Sequence, residues 1–246
     1  MSDTVIRTQA TQMPGTWHGV WRSLRRVLRE PLGALGLVLV VFVMISAIGA
    51  DFFAPFEPNK IDIRAKLQPP SAEHYLGTDQ LGRDIYSRVL VGGRIALKVS
   101  LVSIGIALVI GLTLGLIAGY GPRWLDNVLM LLFDSVRSFP TVMFALAVVT
   151  LFGPSLTTVM IVVIVTQIPI YGRMVRAQTQ TLREAEFILA EQAMGAGFFR
   201  IIGMHILPNV VGPLLILASM DIPFVITIEA GLSFLGMGVR PPTPSW

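Results

Sequence analysis

The residues of this chain that could do chemistry are few, and their spacing excludes most reactions. The lysines are Lys60, Lys66 and Lys98, and none follows a glycine. No G-x-x-x-x-G-K-[ST] loop therefore exists to cradle a nucleotide phosphate. The chain has no cysteine, which removes thiol nucleophiles, disulfides and thiolate metal sites. His18, His74 and His205 stand singly, without the partner ligands at close spacing that a metal site needs. No G-x-S-x-G elbow and no H-E-x-x-H pair occurs. No catalytic residue and no metal ligand is assigned, and the chain is not read as an enzyme. What remains is charge in apolar surroundings. Asp134 and Arg137 are three residues apart and can pair on one helix face. Asp221 and Glu229 lie in an apolar run with no cation of their own. Charges inside a membrane are expensive and mark solute or ion pathways, so Asp221 and Glu229 are candidates for a translocation path or gate.

Composition names the solvent. Hydrophobic residues make up 53% of the chain, charged residues 14%, and the mean hydropathy is +0.70. Soluble domains carry about 25% charged residues, so the medium is lipid. The net charge of +4 does not point to nucleic acid, because the basic residues are not clustered on a soluble module. They flank apolar runs instead, as membrane proteins require.

The expected organisation is an all-α polytopic membrane bundle with five spans. Residues 1–30 form a polar tail with Arg7, Arg22, Arg25, Arg26 and Arg29. The first span covers 31–50, long enough at about 1.5 Å per residue to cross a hydrocarbon core of about 30 Å. It is too long for the apolar region of a signal peptide, and an uncleaved anchor is expected. Residues 51–95 are polar and proline-rich. A permease-like core of 96–246 follows, with spans at about 96–120, 125–152, 156–171 and 210–235 and a polar loop at 172–208. The excess of arginine in the tail places it in the cytoplasm. Residues 51–95 then lie outside, and loop 172–208 lies in the cytoplasm with Arg173, Arg176, Arg183 and Arg200.

Two segments point to close association. Gly111, Gly115 and Gly119 recur every four residues, a small-residue stripe that lets another helix backbone approach in lipid. Pro140, Pro169 and Pro223 interrupt spans and are expected to bend them. In loop 172–208, Glu184 and Glu186 sit where a helix would start. Leu189–Met194 favour helix, and Gly195 and Gly197 stop it. Phe187, Ala190, Ala193 and Ala196 give this helix an apolar, small-residue surface with no Lys or Arg from 184 to 197. A membrane-lying connector would carry a basic face, so a protein partner is expected to dock on Glu186–Ala196.

Several motifs now resemble one family. The segment 186–196, followed by Leu207-Pro208 twelve residues after Gly195, is similar to the EAA loop of bacterial ABC-transporter permeases. Gly77-Thr78-Asp79, Gly82-Arg83-Asp84 and Ser87-Arg88 resemble the LGTDxxGRDxxSR signature of the dipeptide, oligopeptide and nickel import group, in its "C" subunit. Gly115–Tyr120, Asp126-Asn127, Gly231–Gly238 and Pro241–Trp246 fit the same group. The resemblance implies a type I ABC importer permease fold. The implied function is a permease subunit of an ATP-driven, binding-protein-dependent importer for peptides or a related small solute such as a nickel chelate. It implies a multi-pass protein of the bacterial inner membrane with a cytoplasmic N-terminus. The implied partners are a second homologous permease, two ATP-binding cassette subunits, a periplasmic or lipid-anchored solute-binding protein and membrane lipid. No cofactor is bound directly, and ATP is used by the partner subunits. The family has Glu-Ala-Ala where this chain has Leu189-Ala190-Glu191. It also continues to a sixth span, absent from these 246 residues, and a bundle ending at Trp246 is expected to assemble poorly. A self-sufficient secondary transporter or a non-transporting membrane scaffold is the alternative reading. The first would need repeats and ion sites in broken helices.

Overall fold

A computed structural model describes residues 24–246. The tail reading for Arg7, His18 and Arg22 lies outside the described residues. The described chain is helical without any strand, 75% of the described residues being helix, as expected for a helical membrane bundle. Among the described residues, four helices are long and apolar enough to cross a membrane, and a bent pair makes a fifth crossing if counted as one span.

Helix α1, Pro31–Ile48, opens with proline at its first turn and buries only Ala47. It is apolar all round, which suits lipid. Arg94 secures its far end. The guanidinium donates to the Ala47 carbonyl (3.1 Å) and the Ile48 carbonyl (3.0 Å), and pairs with Asp51 at 3.0 Å. These carbonyls fall in the last turn, where helical partners run out.

Helix α2, Ile85–Tyr120, has 36 residues, about 54 Å at 1.5 Å per residue. It starts eleven residues before the expected Ala96, because Asp84 caps the Ser87 amide and fixes a helix start that hydropathy alone reads as loop. The expected span 125–152 is broken into α3, Arg123–Arg137, and α4, Thr141–Phe152, which meet at 87°. Pro140 disfavours helix at Phe139 and lacks the amide that would continue the ladder. Helix α5, Leu156–Arg183, runs twelve residues past the expected end at Tyr171 and tolerates Pro169 inside. The loop expected at 172–208 is accordingly short. It holds the end of α5, then α6, Glu186–Ala193, then a helical turn Phe198–Arg200 and a π-helical turn Ile201–Ile206. Helix α7, Leu207–Phe234, follows.

The core lies where α2 and α5 run side by side. A Cβ at Gly111 would meet the Tyr171 Cβ at 2.7 Å, one at Gly115 the Gly172 oxygen at 2.6 Å, and one at Gly119 the Thr179 Cβ at 2.6 Å. Register advances equally on both helices, so they are parallel. The stripe read from the sequence is thus a backbone-to-backbone seam, and its partner is α5. Val99, Val159, Val162, Val175, Val210 and Leu214 complete the core. Overpacking such a contact costs about 1–3 kcal/mol per site. Gly115→Val is therefore expected to lower the temperature of aggregation in detergent, measured by size exclusion after heating. Gly105→Val is expected to leave it unchanged, since no atom lies within 4 Å of a Cβ there.

Candidate functional site

The polar signature 77–88 lies at the start of α2 and ties residues 54–84 into a knot. Gly77 (φ +74°) and Gly82 (φ +73°) turn where a Cβ would lie 2.4 Å from the Gln68 oxygen and 1.7 Å from the Asp62 oxygen. No L side chain fits either position. The Thr78 hydroxyl donates to the Ala65 carbonyl and accepts from the Gln68 amide at 2.9 Å. The Asp79 carboxylate accepts from the amides of Leu81 (2.8 Å) and Arg83 (3.0 Å) and from Arg83 Nε (2.7 Å). Asp84, 2% exposed, accepts from the Ser87 amide (2.8 Å) and hydroxyl (2.7 Å) and faces His74 Nδ1 at 3.0 Å. Arg88 donates to the Pro58 oxygen at 3.0 Å, the Asn59 side chain at 3.2 Å and the Pro242 oxygen at 3.3 Å. The side chains of this signature bond inward and build the knot.

The other end of α2 carries the candidate docking helix α6. Glu186 stands in its first turn, where negative charge suits the helix dipole. Gly195 (φ +85°) ends it, letting the Ala196 amide reach back to the Glu191 carbonyl at 3.0 Å, a left-handed cap that glycine supplies without strain. The inner face is Ile188, fully buried with Ile201 and Ile206. Glu191 turns inward as well, 3.8 Å from Arg200 and 3.6 Å from His205. The outer face is Phe187 (46% exposed), Leu189 (51%) and Met194 (75%), with Ala190 and Ala193 exposed beside them. Phe199, 87% exposed, extends this surface.

Tyr120, the last residue of α2, braces the assembly. Its hydroxyl accepts from Gln192 Nε2 at 3.3 Å, and its ring meets Phe198 edge-on at 5.2 Å. Arg183 lies 5.2 Å over that ring and donates to the Tyr120 carbonyl at 3.2 Å. Nearby, Arg176 grips both oxygens of Asp126, Nη2 to Oδ2 at 2.6 Å, in the bidentate form that arginine favours. Asp134 pairs with Arg173 of α5 rather than with Arg137, because α5 packs across α3 and presents the nearer cation.

The two candidate path carboxylates differ. Glu229 has no exposed surface. One oxygen accepts from Ser233 at 2.8 Å and from Ser245 at 2.9 Å. It anchors a strap, 240–246, whose Trp246 indole donates to the Val89 oxygen at 2.7 Å. The Trp246 ring lies over Gly92 and Gly93, where a Cβ would stand 2.9 and 2.7 Å from it. Glu229 is therefore held through one oxygen, while Oε2 is buried without a hydrogen-bond partner among the described residues. Asp221 keeps part of its surface and has no ion-pair or hydrogen-bond partner among the described residues.

Two family models match the chain. Residues 111–246 match the binding-protein-dependent transport system inner membrane component, and residues 15–70 match the N-terminal transmembrane domain of oligopeptide transport permease C. The dipeptide transport system permease protein DppC of Alkalihalophilus pseudofirmus is 39% identical over 92% of this chain and 75% of its own length. The glutathione transport system permease protein GsiD of Pectobacterium atrosepticum is 37% identical over 98% of this chain and 79% of its own.

The knot has a pH signature. Burial opposes the charge of Asp79, but the amides of Arg83 and Leu81 and the Arg83 guanidinium outweigh it and hold the carboxyl below its usual range. A depressed carboxyl stabilises above the unfolded value, about 3.9, and the contribution is lost as pH falls through the folded value. Protease nicking of residues 54–84 is thus expected to rise below about pH 4. Asp79→Asn is expected to raise nicking already at pH 7 and to flatten the acid response. Ile188→Ala removes the inner anchor of α6 and is expected to cost about 2–4 kcal/mol locally, read as faster amide exchange across 186–196.

Proposed function

The chain belongs to the family of binding-protein-dependent transport system inner membrane components, and we propose that it serves as a permease subunit of an ATP-driven importer of peptides. The peptide class rests on the relatives, whose names specify dipeptide and glutathione transport. The observation that carries the coupling role is α6: a short helix, clamped on one face and apolar on the other. Exposed apolar patches of this kind mark protein contacts. An ATPase closing against Phe187, Ala190, Ala193 and Met194 would push α6 as one piece. Ile188, Gln192–Tyr120 and Arg183–Tyr120 pass that push to the ends of α2 and α5. The glycine seam leaves those helices no slack, so displacement reaches α7 and the far end of the bundle.

This reading puts α6 in the cytoplasm with the N-terminus, and the 54–84 knot and the 240–246 strap outside, beside a solute-binding protein. The functional complex pairs the chain with a second homologous permease and two ATP-binding cassette subunits, which use the ATP. Exposed apolar surface on α7, including Met220 (70%) and Phe224 (52%), supports a helical neighbour or a solute path along that helix. Gly195→Arg strains the left-handed cap and sets a cation at the docking face. It is expected to reduce uptake by the reconstituted complex at least tenfold and to reduce ATPase co-purification, with membrane insertion intact. Unchanged uptake would overturn the docking role. Uptake that persists without any ATPase would favour a self-sufficient transporter.

A further inference from the structure

Asp221 lies about 21 Å along α7 from Leu207 at 1.5 Å per residue, deep in a helix long enough to span the membrane. One carboxylate oxygen is buried without a partner, and the residue still keeps part of its surface. Behind it on α5 stand Tyr171, fully buried, and Gln167, 3% exposed. The Tyr171 hydroxyl lies beside Asp221 and Gln167 without hydrogen-bond geometry to either. The Tyr171 hydroxyl and Gln167 Nε2 are also buried without a hydrogen-bond partner. Three polar groups at one depth of the α5–α7 contact are thus unsatisfied together. Buried polar groups are normally paired, so this set is built for something that comes and goes.

The surroundings restrict what that is. On the α7 wheel Asp221 shares a face with Leu214, Ala218 and Val225, all buried. That face borders Met220 and Phe224, which are exposed. A carboxylate edge turned to hydrocarbon is strongly disfavoured, so the open side of Asp221 meets water or solute. The complement of an unpaired carboxylate is a cation that can also donate directional hydrogen bonds. Next to it, a thioether and an aromatic ring give an adaptable apolar surface, and the ring face itself attracts ammonium groups.

We propose that Asp221, with Tyr171 and Gln167 behind it, receives the primary ammonium group of a peptide in transit, while Met220 and Phe224 meet its variable side chains. The proposal rests on the peptide-importer reading above. It assigns the invariant group of such solutes to a fixed charge and the varying groups to deformable apolar surface.

The native chain has no cysteine, so Phe224→Cys offers this chain a single thiol. In the complete complex, made with cysteine-free partners, a membrane-impermeant thiol reagent should label Phe224→Cys in at least one nucleotide state. A saturating dipeptide should protect it. Adding Asp221→Asn should raise the dipeptide concentration needed for protection about tenfold, the scale of a partly desolvated charge pair. Asp221→Glu should restore most of it. Uptake into vesicles should fall about tenfold in Asp221→Asn and recover in Asp221→Glu. Absence of labelling in every nucleotide state would overturn the proposal, since α7 would then face lipid or a neighbouring subunit. Equal protection with and without Asp221→Asn would overturn it too. If the unmutated complex takes up no peptide at all, the importer reading fails first, and the two failures are told apart.

Discussion

The constraint that sets the register of the bundle is the seam between α2 and α5, where no methyl group can be added at Gly111, Gly115 or Gly119 without a shift. Lipid offers no hydrophobic drive for helix pairing, so close backbone approach and its dispersion contacts must supply the association. Because the two helices are parallel and in step, every residue on α5 is indexed against one on α2. Helix α6, the Tyr120 brace and the polar groups around Asp221 all hang from that register.

The two ends of this seam are built by opposite means. At the start of α2, bonded carboxylates, carbonyls and glycine turns make a polar knot that needs no partner to be complete. At its end, α6 shows water a surface of Phe187, Leu189, Met194 and Phe199 that is unfavourable unless covered. One end is finished and the other waits, which is the asymmetry expected of a subunit that receives force at one face.

Much of this was legible in residue types. Glycine at four-residue spacing specified a close contact, though not its partner, because spacing says nothing about which helix comes near. Gly195 and the helix formers before it located α6. The helices run past the spans read from hydropathy, since Asp84 starts a helix by capping while Pro169 fails to stop one. Pro140 does break its span, and the difference lies in what else satisfies the backbone, which is invisible in one dimension. Glu229 and Asp221 look alike in sequence. Ser233, one turn on, and the return of Ser245 across the chain hold one oxygen of Glu229, and Asp221 has neither. Tyr120 and Ile188 carried no signal because an aromatic or aliphatic residue at a helix end is ordinary until its neighbours are known.

Arg94 has a further consequence for how the protein sits in its bilayer. Helix α1 spans about 27 Å by its 18 residues, roughly half the length of α2, and its firm polar attachment is at one end. In a membrane slightly thicker or thinner than this helix, a tilt of α1 about the guanidinium would adjust its span, as a gate turns on its post. The core register is untouched. Mismatch between lipid and protein, which usually sorts membrane proteins by compartment thickness, would then fall on a helix of which only Ala47 is buried.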